Sequence, residues 1–161
     1  MARIDNEFRI TPSVLDRLLD FEPEVSSEAI KSRAKSLRDL KQSVRRDMEW
    51  LLNTRRYIEE IPSTLEETTR SLANYGLPDF TGISTKNLAE QKRLVKEIET
   101  SIKTFEPRLI DVKVSVEPVA GTERTLNFKI EARLQVEPAP EPVVFDTILQ
   151  LGSGEYMVKE K

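Results

Sequence analysis

The sequence predicts an α+β fold, with N-terminal helices packed on one face of a small antiparallel sheet of about three strands. Two observations carry this. Up to Phe105 the apolar residues recur at steps of three and four; from Ile110 onward they recur at steps of two. The change falls at Glu106-Pro107-Arg108, where proline disfavours helix for the residue before it and so ends the last helix. Helices followed by strands is the order of an α+β domain.

Each element follows from local signals. Thr11-Pro12-Ser13 opens a short helix in which Val14, Leu15, Leu18 and Leu19 share one face. So short a helix must dock on something, either its own domain or a partner. Ser26-Ser27 is placed to cap a long helix from Glu28, whose stripe is Ile30, Ala34, Leu37, Leu40, Val44, Met48 and Leu51, ending near Asn53-Thr54. Arg45, Arg46, Arg55 and Arg56 form two basic pairs near its C-terminal half, where solvated cations complement the helix dipole. Ser63 to Glu66 reads as a capping box for a short helix with Leu65, Leu72 and Tyr75 on its buried side, closed by Gly76. A third main helix starts at Ser84 or Thr85, and Leu88, Leu94, Val95, Ile98, Ile102 and Phe105 form its stripe.

Beyond the corner, Ile110, Val112, Val114 and Val116 alternate with polar residues, as do Leu126, Phe128, Ile130, Ala132, Leu134 and Val136. These two runs read as an antiparallel hairpin with one face on the helices and one in water. The prolines at 138, 140 and 142 form a stiff connector to a third strand, 143–151, expected at or near a sheet edge. Gly152-Ser153-Gly154 is expected to release a flexible tail.

Composition bounds the chemistry. The chain has 161 residues, with 25 Lys+Arg against 28 Asp+Glu and a formal charge of -3. There is no basic excess to displace counterions from phosphates, so no nucleic-acid partner is expected. Hydrophobic residues make up 38%, which predicts a thin core with part of the chain ordered only in a complex. The chain has neither Cys nor His. It therefore lacks disulfides, thiolate metal sites, and the commonest general base and metal ligand. No apolar run of about 18 residues would span a membrane, and the first residues lack an apolar signal core. A cytoplasmic protein without cofactor or metal is expected. No glycine-rich phosphate loop is present, and the carboxylate pairs Glu59-Glu60 and Glu66-Glu67 sit at helix boundaries rather than as an acid/base set. An enzyme is not expected.

The corner itself admits two readings. Glu106 and Arg108 flank a fixed φ and form either an ordinary charged turn or a rigid two-charge plug for a partner surface.

Four blocks in order resemble a family. Residues Ser43 to Arg56 resemble the signature helix of phage-tail baseplate wedge proteins, often labelled lysozyme-like. Ser71 to Asp79 is similar to the family's second block, and Glu106-Pro107-Arg108 between a helix and a strand to its defining tripeptide. Pro12 to Asp20 is similar to the N-terminal segment of the type VI secretion members, the TssE subunits. The resemblance spans about 12 to 150, and the run from Glu22 to Ser32 has no counterpart in it.

The resemblance implies a non-enzymatic baseplate wedge subunit of a type VI secretion system, in a baseplate docked at the inner membrane, that anchors and initiates a contractile sheath. It implies contact with the wedge subunits TssF and TssG, through them with TssK, and with the sheath subunits TssB and TssC. The alternatives are a wedge subunit of a phage or phage-like particle and, further off, a peptidoglycan hydrolase. The organisation expected is a partner-docking segment at 1–25, the wedge domain at 26–151 and a tail at 152–161. The residues singled out for partner binding are Glu106, Pro107, Arg108, Leu15, Leu18, Leu19, Arg45 and Arg46. With the family in view, the two-charge plug is the favoured reading of the corner.

Overall fold

The computed structural model describes residues 10–19, 24, 32–56, 61–62, 64–80, 87–117 and 125–160. Their order is α1 (Val14–Leu18), α2 (Arg33–Asn53), α3 (Glu66–Arg70), a 3-10 turn (Leu72–Asn74), α4 (Leu88–Phe105), β1 (Leu109–Glu117), β2 (Thr125–Leu134), β3 (Glu141–Gln150) and β4 (Tyr156–Glu160). The strands form one antiparallel meander in the order β1-β2-β3-β4. Helix α4 lies against β1 and α2 against β4, so the two long helices cover one face of the sheet.

The alternating runs bury the expected side. Leu126, Phe128, Ile130, Ala132 and Leu134 of β2 and Val143, Phe145, Thr147 and Leu149 of β3 turn inward. They meet Leu40, Val44, Met48, Leu51 and Leu52 of α2 and Leu94, Ile98 and Ile102 of α4. Burial of these side chains is the main stabilising term, about 1.5–3 kcal/mol for each large one.

Several expectations are corrected. The sheet has four strands, because within the stretch 152–161, read as a tail, residues 152–160 make a turn and then β4, whose Tyr156 and Val158 complete the core. The strand expected at or near an edge is therefore one in from the edge, paired with β2 on one side and β4 on the other. The alternation of β1 is shifted by a bulge: Asp111 takes a positive φ of 54°, and the register slips between Ile110 and Lys113. Leu109 and Val112 are consequently the buried residues, and Ile110 is only half-buried.

Helix α2 begins at Arg33, capped by the Ser32 side chain, with Ala34 exposed and the stripe starting at Leu37. The residues proposed to start it, Ser26 to Glu28, and Ile30 lie outside the described residues. So do Ser63 of the proposed capping box and Ser84 and Thr85. The cap positions are Leu65 for α3, without a side-chain bond, and Asn87 for α4. Leu65, Leu72 and Leu88 are exposed rather than buried.

Gly76 has φ of 101°, and a Cβ there would sit 2.4 Å from the Thr54 carbonyl oxygen. Glycine alone fits. It lets Leu77 donate to Thr54 at 2.9 Å and Arg56 donate to Leu77 at 2.8 Å, so the segment after α3 is stitched to the end of α2 with Leu77 fully buried.

Candidate functional site

The site grows from the end of α4. The buried stripe of α4 carries the chain down to Glu106, whose N–H still closes on Ile102 at 2.8 Å. Pro107 then turns the chain into β1, and the Leu109 N–H returns to the Glu106 carbonyl at 3.1 Å. The turn directs both charged side chains back over α2.

Glu106 is 4% exposed. Its Oε1 accepts from the Arg108 backbone N–H at 3.2 Å and from Arg108 Nε at 2.6 Å, and its Oε2 accepts from Arg108 Nη2. This is the bidentate fork that guanidinium and carboxylate geometry favour. Arg108 continues the chain to α2, donating from Nη2 to Asp47 Oδ2 at 2.6 Å and from Nη1 to Ser43 Oγ at 3.2 Å. On the other oxygen, Asp47 Oδ1 accepts from Arg46 Nε at 3.0 Å and Nη2 at 2.9 Å. Arg46 Nη2 also donates to Asp16 Oδ1 of α1 at 2.9 Å, and Asp16 Oδ2 accepts from both Ser43 Oγ and Ser13 Oγ at 2.6 Å. Five charges of alternating sign, Glu106, Arg108, Asp47, Arg46 and Asp16, thus run from the corner through α2 to α1.

The electrostatics follow from this chain. Burial works against the Arg108 cation, but bonds to Glu106 and Asp47 outweigh it and hold its pKa above the ordinary arginine value. The same balance, with Asp47 and Asp16 as partners, raises that of Arg46. Burial acts to raise the Asp16 pKa, yet the bonds from Ser13, Ser43 and Arg46 together lower it below 3.8. The Tyr75 phenol is pushed up by burial and then by the charges of Asp47 and Glu106.

Beside the chain of charges lies a groove of about 330 Å³, walled by Leu15, Leu51, Tyr75, Phe105, Pro107 and Arg108. Tyr75 and Phe105 meet edge to face at 5.2 Å. On α1, Val14 and Leu18 face outward, more than 70% exposed, while Leu15 and the C-cap residue Leu19 are about 40% exposed. Trp50 is also exposed, under the Arg46 guanidinium at 5.1 Å from its ring centroid.

Of the residues singled out in the sequence, Glu106, Pro107, Arg108, Arg46 and Leu15 come together here. Leu18, the last residue of α1, and Leu19, its C-cap, do not line the groove. Arg45 points away, donating to the Val158 carbonyl of β4 at 3.2 Å. Neither Arg45 nor Arg46 is a free solvated cation, and Arg55 and Arg56 are bonded to Gly154 and Asn74. The idea of two charges offered outward is corrected for Glu106, which is turned inward and satisfied by Arg108. Asp47, Ser43 and Asp16 were missed. The signal for the first two was the spacing Ser43-Arg46-Asp47, which puts one face of α2 opposite the corner.

No curated protein matches the chain at a significant level. A family model, described as baseplate wedge protein gp25, matches residues 38–139. That span holds most of α2, the Gly76 stitch, α4, the corner, β1 and β2, and leaves α1, β3 and β4 outside. It covers more than half of the chain and contains four of the five linked charges, and on that ground the chain belongs to the baseplate wedge protein gp25 family.

Proposed function

We propose that the chain is the TssE-type wedge subunit of a type VI secretion system, a non-enzymatic part of a cytoplasmic baseplate docked at the inner membrane. It binds the wedge subunits TssF and TssG, meets TssK through them, and anchors the first ring of TssB/TssC sheath. The observation that supports this most is the groove at the Glu106-Pro107-Arg108 corner, apolar on its walls, with an arginine at its rim and exposed α1 leucines alongside. A helix from a wedge partner would seat its apolar face there, in the manner of helix-in-groove recognition. Glu106 supports that contact from below by fixing Arg108 rather than by reaching out. The two carboxylates nearest the groove both bind Arg108, an arrangement suited to holding a cation and not to donating a proton to a glycosidic oxygen. A phage or phage-like particle is the second setting; capsid genes beside this one would favour it, secretion ATPase genes the first.

Co-purification tests the proposal. The full chain should copurify with co-expressed TssF and TssG, and deleting residues 1–22 or introducing Leu15→Asp should weaken the complex at least tenfold while the domain stays folded. Undiminished copurification of both variants would remove the groove and α1 from the interface.

A further inference from the structure

The groove at the corner has two kinds of wall. Leu51, Tyr75, Phe105 and Pro107 belong to the body of the domain. Leu51 is buried, and Tyr75 and Phe105 brace each other edge to face. The rest of the wall includes Leu15 of α1 and Ser13, its N-cap.

That second wall is lightly held. Helix α1 is five residues long and buries none of them. A helix so short is marginal by itself. Just before it, Ile10 packs against the core. Among the described residues, the hydrogen bonds from α1 to α2 converge on one side chain. Asp16 Oδ1 accepts from Arg46 Nη2 at 2.9 Å, and Asp16 Oδ2 accepts from Ser43 Oγ at 2.6 Å. One pinned end and one polar latch make α1 a hinged wall. Segments with few buried apolar contacts are the ones that open locally.

Ser43 sits at the centre of the latch. It is buried and does not line the groove. Its Oγ accepts from Arg108 Nη1 at 3.2 Å and from Arg46 Nη2 at 3.4 Å. A hydroxyl has two lone pairs and one hydrogen. With guanidinium donors on the oxygen, the hydrogen is left for Asp16. The corner thereby aims Ser43 at α1.

Resting on the reading that a wedge partner seats a helix in this groove, we infer that α1 is a clasp that closes on that helix, with Ser43 as the positioning residue that holds it shut. With α1 undocked, the groove lacks its Leu15 wall. The apparent affinity for the partner helix is then reduced by the fraction of chains in which α1 is docked. A helix that touches both Leu15 and the fixed walls in turn favours the docked state. Arg108 takes part twice, at the rim of the groove and, through Ser43, in the latch.

Amide hydrogen exchange on the full chain reads the clasp without a partner. The Arg17 and Leu19 amides bond the Ser13 and Leu15 carbonyls. In Ser43→Ala they should exchange roughly fivefold faster, with the Val44 and Met48 amides unchanged. Affinity for a purified TssF–TssG complex should fall about fivefold. Asp16→Ala should do the same. Adding Ser43→Ala to Asp16→Ala should then weaken binding no further, because both open one latch. Unchanged exchange of Arg17 and Leu19 in Ser43→Ala overturns the inference. So does unchanged affinity once α1 is freed. An undiminished loss from Ser43→Ala on the Asp16→Ala background overturns it too, by placing the effect in the fold and not in α1. No binding of TssF–TssG by the unaltered chain overturns the clasp together with the partner reading.

Discussion

Arg108 Nη2 donates to Asp47 Oδ2 at 2.6 Å, and this bond ties the β1 side of the corner to the middle of α2 across 61 residues of sequence. The same guanidinium holds the buried Glu106 carboxylate. The corner is thus a structural joint before it is a contact surface. Glu106→Ala should lower the melting temperature by about 4–8 °C, from roughly 2 kcal/mol lost with a buried, charge-assisted pair. Arg108→Ala should cost more, because it strands the Glu106 carboxylate in a buried site. Thermal melts of the two variants and of Glu106→Gln check this; wild-type melting of Glu106→Ala would show that the pair serves only a partner.

The attachment of α1 should depend on pH. The folded Asp16 pKa lies below 3.8, so its bonds to Arg46, Ser43 and Ser13 contribute fully above that value. They are lost as pH falls from 3.8 through the folded pKa. Trp50 is the only tryptophan and lies beneath the Arg46 that Asp16 holds. Its fluorescence should be flat from pH 7 to 5 and change in a transition centred below 3.8. In Asp16→Asn that transition should vanish. A change centred above pH 5, or one that persists in Asp16→Asn, would mean another group is titrating.

Gly76→Ala should be among the most damaging single-methyl additions in the chain. A φ of 101° costs an L-residue about 1–3 kcal/mol, and the new Cβ would press on the Thr54 carbonyl at 2.4 Å. Denaturant unfolding should show at least 2 kcal/mol lost, with Leu77 released from its burial. Gly152→Ala, where a Cβ meets nothing within 4 Å, is the matched control and should be near neutral.

What the sequence disclosed and what it withheld divide along physical lines. Periodicity located α2, α4 and the strands because burial of one face is a local pattern; Val44, Met48, Ile98, Phe128 and Ile130 are where the period puts them. It failed at β4, where Tyr156 and Val158 give only two inward residues beside two glycines. It failed at Ile110, because one bulged residue inverts the phase and no spacing announces a bulge. At the site, Glu106 and Arg108 stood out, but their orientation depended on Asp47 and Ser43, which only the tertiary fold brings opposite them. Asp16 was hidden for the same reason: its partners on α2 lie 27 and 30 residues away.

The bonds between α2 and β4 join distant parts of the chain. Arg45 and Val158 are 113 residues apart, and Asn53 and Tyr156 are 103 apart. During translation α2 emerges early, with Val44, Met48 and Leu52 bare, and waits for residues 156–160 before its sheet-side seat is complete. Such contacts raise the contact order and make folding slow for a chain of this length. The nascent subunit therefore passes through a stage in which its helices are made and sticky while its last strand is still inside the ribosome, when a chaperone or a co-translated wedge partner has the most to shield.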